Sequence, residues 1–335
     1  MNKKLLFPLM AVTIASLACN MLTRNASSTP SATSEPQIQP AITPSEAADI
    51  INSESDDGVP LSGSEINNHA SHILQDVVYC TMDGVPLYAD IYFPKNRSAI
   101  TPLLIYIHGG GWRSGSRNGG AGMMDIPALL DAGFTIASID YRLAPDYKMP
   151  AMIEDVKCAV RSFRAHAADY KIDPNRIGAW GSSAGGHLVS ILGTSDESAG
   201  FDVGEYLNYS SRVQAVVDMF GPVDFLTFPF NQHSSLVAST VFGTADLSDP
   251  IFAAASPVTY ISTDDPPFLI LQGDLDRTVP LSQSQEFYDK LTDSGVDAQL
   301  VIVNGGDHGL KAPGESPSRA ELTQKIVEFF TLKLK

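Results

Sequence analysis

The run Gly181-Ser182-Ser183-Ala184-Gly185-Gly186 constrains this chain more than any other feature. The apolar stretch Ile177-Gly178-Ala179-Trp180 leads into it, and the helix-like His187-Leu188-Val189-Ser190-Ile191-Leu192 leaves it. Strand, glycine-flanked serine and helix in that order predict an elbow. The turn in G-x-S-x-G is sharp enough to strain the central serine, and small residues two positions either side let the neighbouring backbone pass. Ser183 then projects its hydroxyl beyond a strand end, at a helix N-terminus whose dipole favours developing negative charge. Such an elbow predicts three companions: a glycine run upstream, then an acid and a histidine downstream in that order.

From about residue 73 the chain alternates strand and helix patterns. Val77–Met82 and Leu87–Phe93 flank the turn dipeptide Asp83-Gly84 and predict an antiparallel hairpin. Leu103–Ile107, Phe134–Ile139, Ile177–Trp180, Val213–Phe220, Phe268–Leu271 and Gln299–Val303 are apolar runs of strands covered on both faces. Helices are predicted from Pro150, over about Leu281–Leu291 and over about Ser318–Leu332. Alternation of this kind predicts an α/β fold, a mostly parallel twisted sheet with helices on both faces. Two aromatic-bearing stretches break the rhythm, Ser195–Ser211 and Asp224 to about Ala255. They read either as a small lid over the C-terminal edge of the sheet or as surface loops with core anchors.

The N-terminus reads as a signal peptide over residues 1–18: Lys3 and Lys4, an apolar run from Leu5, and small residues before Cys19. Cys19 resembles the lipid-modified cysteine of a bacterial lipoprotein, although Leu17 stands two residues before it where the usual pattern has three. Plain secretion is the alternative. Residues 19–70 are rich in Ser, Thr and Pro, a disordered tether composition, which leaves 71–335 as the folded domain. The formal net charge of −16, with no Lys/Arg cluster, argues against a nucleic-acid partner. Cys80 sits in a strand-like run and Cys158 on the apolar side of a helix-like one, so both are expected as unpaired core thiols. No C-x-x-C pair or Cys/His cluster suggests a metal.

All three companions of the elbow are present. His108-Gly109-Gly110-Gly111-Trp112 follows an apolar strand and offers the N–H groups of Gly110 and Gly111, with that of Ala184, to an oxyanion. Gln272-Gly273-Asp274-Leu275-Asp276 supplies two acids. Asp276 is preferred, since the turn has room to aim it inward, and Asp274 then caps the turn. His308 is the one histidine downstream of the acid, in a glycine-rich loop after the last strand. His108 and His187 read as structural. The order Ser183, Asp276, His308 is that of the α/β-hydrolases.

On these motifs, together with Asp140-Tyr141-Arg142-Leu143-Ala144-Pro145, the chain resembles α/β-hydrolase carboxylesterases of the hormone-sensitive-lipase and bifunctional acetylxylan/feruloyl esterase type. The likeness spans residues 108–309 and extends through the hairpin to about 77. Ser182 stands where hormone-sensitive-lipase relatives carry an acidic residue, and Trp112 follows the glycines. Both tilt the match toward polysaccharide esterases and formamidases. The resemblance implies hydrolysis of short-chain or aryl esters through a Ser183–His308–Asp276 triad, with no cofactor or metal, on a small-molecule or polymer-borne substrate. The rivals are an aryl formamidase or peptidase on the same scaffold, and a catalytically dead tethered binding module.

Overall fold

The apolar runs become strands and the Asp83-Gly84 dipeptide becomes the turn of an edge hairpin. The computed structural model describes residues 66–335, except 97–99, 231, 312 and the side chains of 232–234. The expected signal peptide over 1–18, Cys19 and nearly all of the tether lie outside the described residues. The folded part reaches back to Ile66, which is buried, a few residues before the boundary expected at 71.

The hairpin joins β1 (Ala70–Met82) to β2 (Val85–Pro94) through Asp83 at φ 51° and Gly84 at φ 80°. Two successive positive φ values match the right-handed twist of the flanking strands, and Asp-Gly tolerates them. The other strands are β3 (Thr101–Ile107), β4 (Thr135–Ile139), β5 (Ile172–Ser182), β6 (Ala215–Met219), β7 (Phe268–Gly273) and β8 (Ala298–Val303). The sheet order is β1-β2-β4-β3-β5-β6-β7-β8. β1 pairs antiparallel with β2 and β2 antiparallel with β4; every other pairing is parallel.

Among the described residues the α-helices are α1 (Ile126–Asp131), α2 (Ala151–Ala165), α3 (Ala167–Tyr170), α4 (Ala184–Thr194), α5 (Gln232–Phe242), α6 (Pro250–Ala254), α7 (Leu281–Asp293) and α8 (Arg319–Leu334). They cover both faces of the sheet. Leu103, Ile105 and Ile107 of β3 pack in one core with Val156 and Phe163 of α2, Leu188 and Leu192 of α4, and Phe287 of α7. Leu104 and Tyr106, pointing the other way, pack with Leu129 and Leu130 of α1 and Ile326 and Phe330 of α8. β3 is therefore apolar on both faces, as a central strand of a sheet covered on both sides requires. α8 starts at a capping box: the Ser318 hydroxyl accepts the Glu321 N–H, and the Glu321 carboxylate accepts the Ser318 N–H.

One expectation is corrected. Cys80 and Cys158 are not free thiols but a disulfide between β1 and α2. The packing of that helix under the hairpin brings their Cα atoms to 6.4 Å, within bridging range. The two irregular stretches also part company. Residues 195–211 lie along α2 rather than over the C-terminal edge of the sheet. They are fixed there because Lys157 and Arg161 of α2 are buried and must find acceptors: Lys157 Nζ donates to the Ser195 carbonyl, Asp202 and Ser211 Oγ at 3.1–3.2 Å, and Arg161 pairs with Asp202. The stretch from Asp224, by contrast, brings Phe225 and Phe242 against Trp112 of the glycine loop.

Candidate active site

β3, β5, β7 and β8 run in the same direction, so their C-terminal ends share one edge of the sheet. The glycine loop, the elbow, the acid loop and the histidine loop all leave from that edge. Ser183 takes φ 53° and ψ −117° between β5 and α4. Its N–H is anchored to the Met219 carbonyl at 2.8 Å. A non-glycine residue in this region stores strain that the surroundings must hold, as at other functional turns. A Cβ on Gly185 would run into the carbonyl oxygens of Ile107 and His108, so only glycine lets the elbow helix press this closely against the start of the glycine loop.

The structure brings Ser183, His308 and Asp276 into one hydrogen-bonded line. Ser183 Oγ lies 2.9 Å from His308 Nε2, and His308 Nδ1 lies 2.7 Å from Asp276 Oδ2. An ionised carboxylate only accepts, so Nδ1 carries the proton and Nε2 is left to accept the serine hydroxyl. The Asp276 carboxylate is fully buried while the imidazole is about one quarter exposed. Asp276 Oδ1 accepts the N–H groups of Thr278 and Val279 at 2.8 and 2.9 Å. The ring of Phe220, itself at φ 48°, lies 4.8 Å from that of His308 at 65°.

Asp274 does not join this line. Its Oδ1 accepts the Gly305 N–H at 2.7 Å and ties the acid loop to the histidine loop. Sequence reasoning missed Gln272. Its Nε2 donates to Asp276 Oδ2 at 3.0 Å and to the Val279 carbonyl at 3.0 Å, while its Oε1 accepts from Ser284 Oγ. The available signal was a polar residue near the end of an otherwise apolar buried strand.

Gly110, at φ 107°, and Gly111 follow β3, and among the described residues neither N–H has an acceptor. Ala184 is the first residue of the elbow helix. His108 and His187 both lie outside the Ser183–His308–Asp276 line. His108 Nδ1 is 2.7 Å from the Gly109 carbonyl, and its ring stacks on Tyr141 at 4.3 Å. Among the described residues the one grouping of metal-ligating types is Cys80, Cys158 and Glu205, where the two sulfurs are bonded to each other.

Asp218, near the end of β6, braces the turn that carries Phe220. It accepts the Gly221 N–H at 2.8 Å and the Ser190 hydroxyl at 3.0 Å. Burial pushes its pKa from the ordinary 3.8 up to about 7. The unfolded chain releases this proton near pH 4 and the folded chain near pH 7, so stability falls as pH rises through that window. Asp218→Asn keeps an acceptor for Gly221 and offers Ser190 Oγ a donor. The variant should melt above the wild type at pH 8, by at most about 4 kcal/mol of stability at ~1.4 kcal/mol per pKa unit, with the gap closing toward pH 4. Melting curves from pH 4 to 8 test this; a gap that does not change with pH would refute it.

A serine on a strand–helix elbow, at the C-terminal edge of a mostly parallel sheet with the acid and histidine loops beside it, defines the α/β-hydrolase fold. The BD-FAE family model matches residues 89–291, more than half of the chain, and the chain belongs to that family. It is 34% identical over 194 residues to the probable carboxylic ester hydrolase LipM of Mycobacterium tuberculosis, covering 57% of this chain and 44% of LipM. The chain spans about half the length of the curated relatives it matches. Among solved structures it is similar to a truncated carbohydrate esterase from gut microbiota, with 31% identity and a TM-score of 0.67 over 79% of this chain and 97% of that one. It is also similar to Thermogutta terrifontis esterase 2 phosphorylated by paraoxon, with 26% identity and a TM-score of 0.62 over 77% and 92% of the two chains.

Proposed function

We propose that this protein is a serine carboxylesterase that works through an acyl-enzyme. The continuous Ser183–His308–Asp276 line carries the reading. His308 Nε2 takes the Ser183 proton as Oγ attacks the acyl carbonyl. The tetrahedral oxyanion is held by the N–H groups of Gly110, Gly111 and Ala184. Asp276 fixes the Nδ1–H tautomer and stabilises the imidazolium. His308 then gives its proton to the leaving alcohol, and water repeats the sequence on the acyl-enzyme to release the acid. Similarity to LipM and to the carbohydrate esterase supports ester chemistry, the latter on a carbohydrate, and we propose acetyl or feruloyl groups on a polysaccharide as the substrate.

The proposal extends to location: an extracytoplasmic enzyme held by lipid on Cys19 and tethered by residues 19–70. The Cys80–Cys158 disulfide supports it, since such bonds persist in oxidising compartments.

The test is a fluorophosphonate probe followed by parallel assays on p-nitrophenyl acetate, acetylated xylan, a feruloyl ester and N-formylkynurenine. The expected result is labelling at Ser183 and turnover of esters. Preference for the formamide would transfer the protein to amide chemistry, and absence of both label and turnover would make it a binding module.

A further inference from the structure

His187 lies one helical turn beyond Ser183, and the proposed chemistry gives it no part. It is fully buried, yet both ring nitrogens are matched. Trp112 Nε1–H donates to His187 Nδ1 at 3.2 Å, and His187 Nε2–H donates to the Ala255 carbonyl at 2.7 Å. An indole N–H only donates and a carbonyl only accepts, so this ring is neutral and has one tautomer. Burial agrees with that, pushing its pKa down to about 4. The backbone N–H of His187 also donates to the Ser183 carbonyl at 3.0 Å. One side chain therefore joins the elbow helix, the glycine loop and the segment between β6 and β7.

The glycine loop needs such a tie. Gly110, Gly111 and Trp112 are at φ 107°, 58° and 58°. Three successive residues in this region, one of them a bulky aromatic, persist only where the surroundings over-determine them. The Trp112 ring is edge-on to His187 and Phe225, at 5.3 and 5.9 Å. These ring contacts fix where the indole lies. Among the described residues, the bond to Nδ1 is the only one made by its N–H.

We propose that His187 is a positioning residue for the oxyanion site: through Trp112 Nε1 it holds the glycine loop so that the N–H groups of Gly110 and Gly111 face the oxygen of the carbonyl attacked by Ser183. The proposal rests on the esterase reading. A donor set displaced by about 1 Å loses transition-state stabilisation, which lowers kcat with little change in KM.

Two near-isosteres separate positioning from packing. Asn places an oxygen where Nδ1 stands and keeps the acceptor for Trp112. Gln places its amide where Nε2 stands and keeps the donor to Ala255. On p-nitrophenyl acetate, His187→Gln should lower kcat by about 100-fold with KM within about twofold, and His187→Asn should recover most of the loss. Trp112→Phe, which removes the N–H, should lose as much as His187→Gln. The double variant should lose no more than either alone, the non-additivity expected of one shared bond. Lower melting temperatures are expected of all four, so the decisive reading is the kcat contrast between Asn and Gln. Equal losses in the two, losses that multiply in the double variant, or a change in KM alone would overturn the proposal. Fluorophosphonate labelling of Ser183 in the wild type keeps the outcomes distinct, because an unlabelled wild type overturns the esterase reading itself.

Discussion

Ser183→Ala is expected to lower kcat on p-nitrophenyl acetate by between about 10,000-fold and about a million-fold, because members of a triad act as a unit and loss of the serine alone removes nearly the whole effect. The substitution deletes Oγ, the one atom placed both 2.9 Å from His308 Nε2 and at the tip of the elbow. It should do little else. Alanine keeps the Cβ, so the strain at φ 53° is the same in both proteins, and the Ser183 N–H to Met219 bond does not involve the side chain. Melting temperature should stay within a few degrees of the wild type. The residue is partly open to solvent, so a water can satisfy His308 in place of the hydroxyl. Fluorophosphonate titration of the variant measures any wild-type carry-over. Turnover within about tenfold of the wild type, at zero label, would remove Ser183 from the nucleophile role.

The central sheet was legible because a strand buried on both faces has to be continuously apolar, and Leu103–Ile107 and Phe268–Leu271 are. The hairpin was legible because Asp-Gly tolerates two positive φ values. Other parts were not. α1 is six residues long, less than two turns, too short to set up a helical period. The Cys80–Cys158 pair is 78 residues apart in sequence, and nothing local says that β1 and α2 meet. Residues 195–211 and the stretch from Asp224 look alike in composition. What separates them is where buried Lys157 and Arg161 find acceptors, a property of α2 and not of either loop. Strand-end placement explains why Ser183, His308 and Asp276 could be singled out from sequence. Residues acting on them from behind are harder to see. Gln272 lies within a strand and is polar for the sake of Asp276 in the loop that follows, while His187 lies within a helix and is polar for the sake of Trp112, far along the chain.

Asp276→Asn is expected to cost about 10,000-fold in kcat near neutral pH, through the tautomer of His308 and not through loss of the fold. The four bonds to the carboxylate leave an amide no good orientation. Oδ1 faces two main-chain donors, Thr278 and Val279, and Oδ2 faces two side-chain donors, His308 Nδ1 and Gln272 Nε2. With its oxygen toward the main chain, the Asn amide points N–H at His308 and at Gln272. The imidazole then accepts at Nδ1 and carries its proton on Nε2, where it can no longer take one from Ser183. With the amide turned round, the Thr278 and Val279 N–H groups both lose their acceptor, and the buried one, of Val279, costs about 1–3 kcal/mol. The first arrangement costs less, so the folded variant should hold the wrong tautomer. The comparison that makes this specific is Asp274→Asn. Asp274 Oδ1 takes only the Gly305 N–H, a bond that an amide oxygen can replace. Its kcat should stay within about tenfold of the wild type. Equal losses at the two positions, or a greater loss at 274, would transfer the orienting role to Asp274.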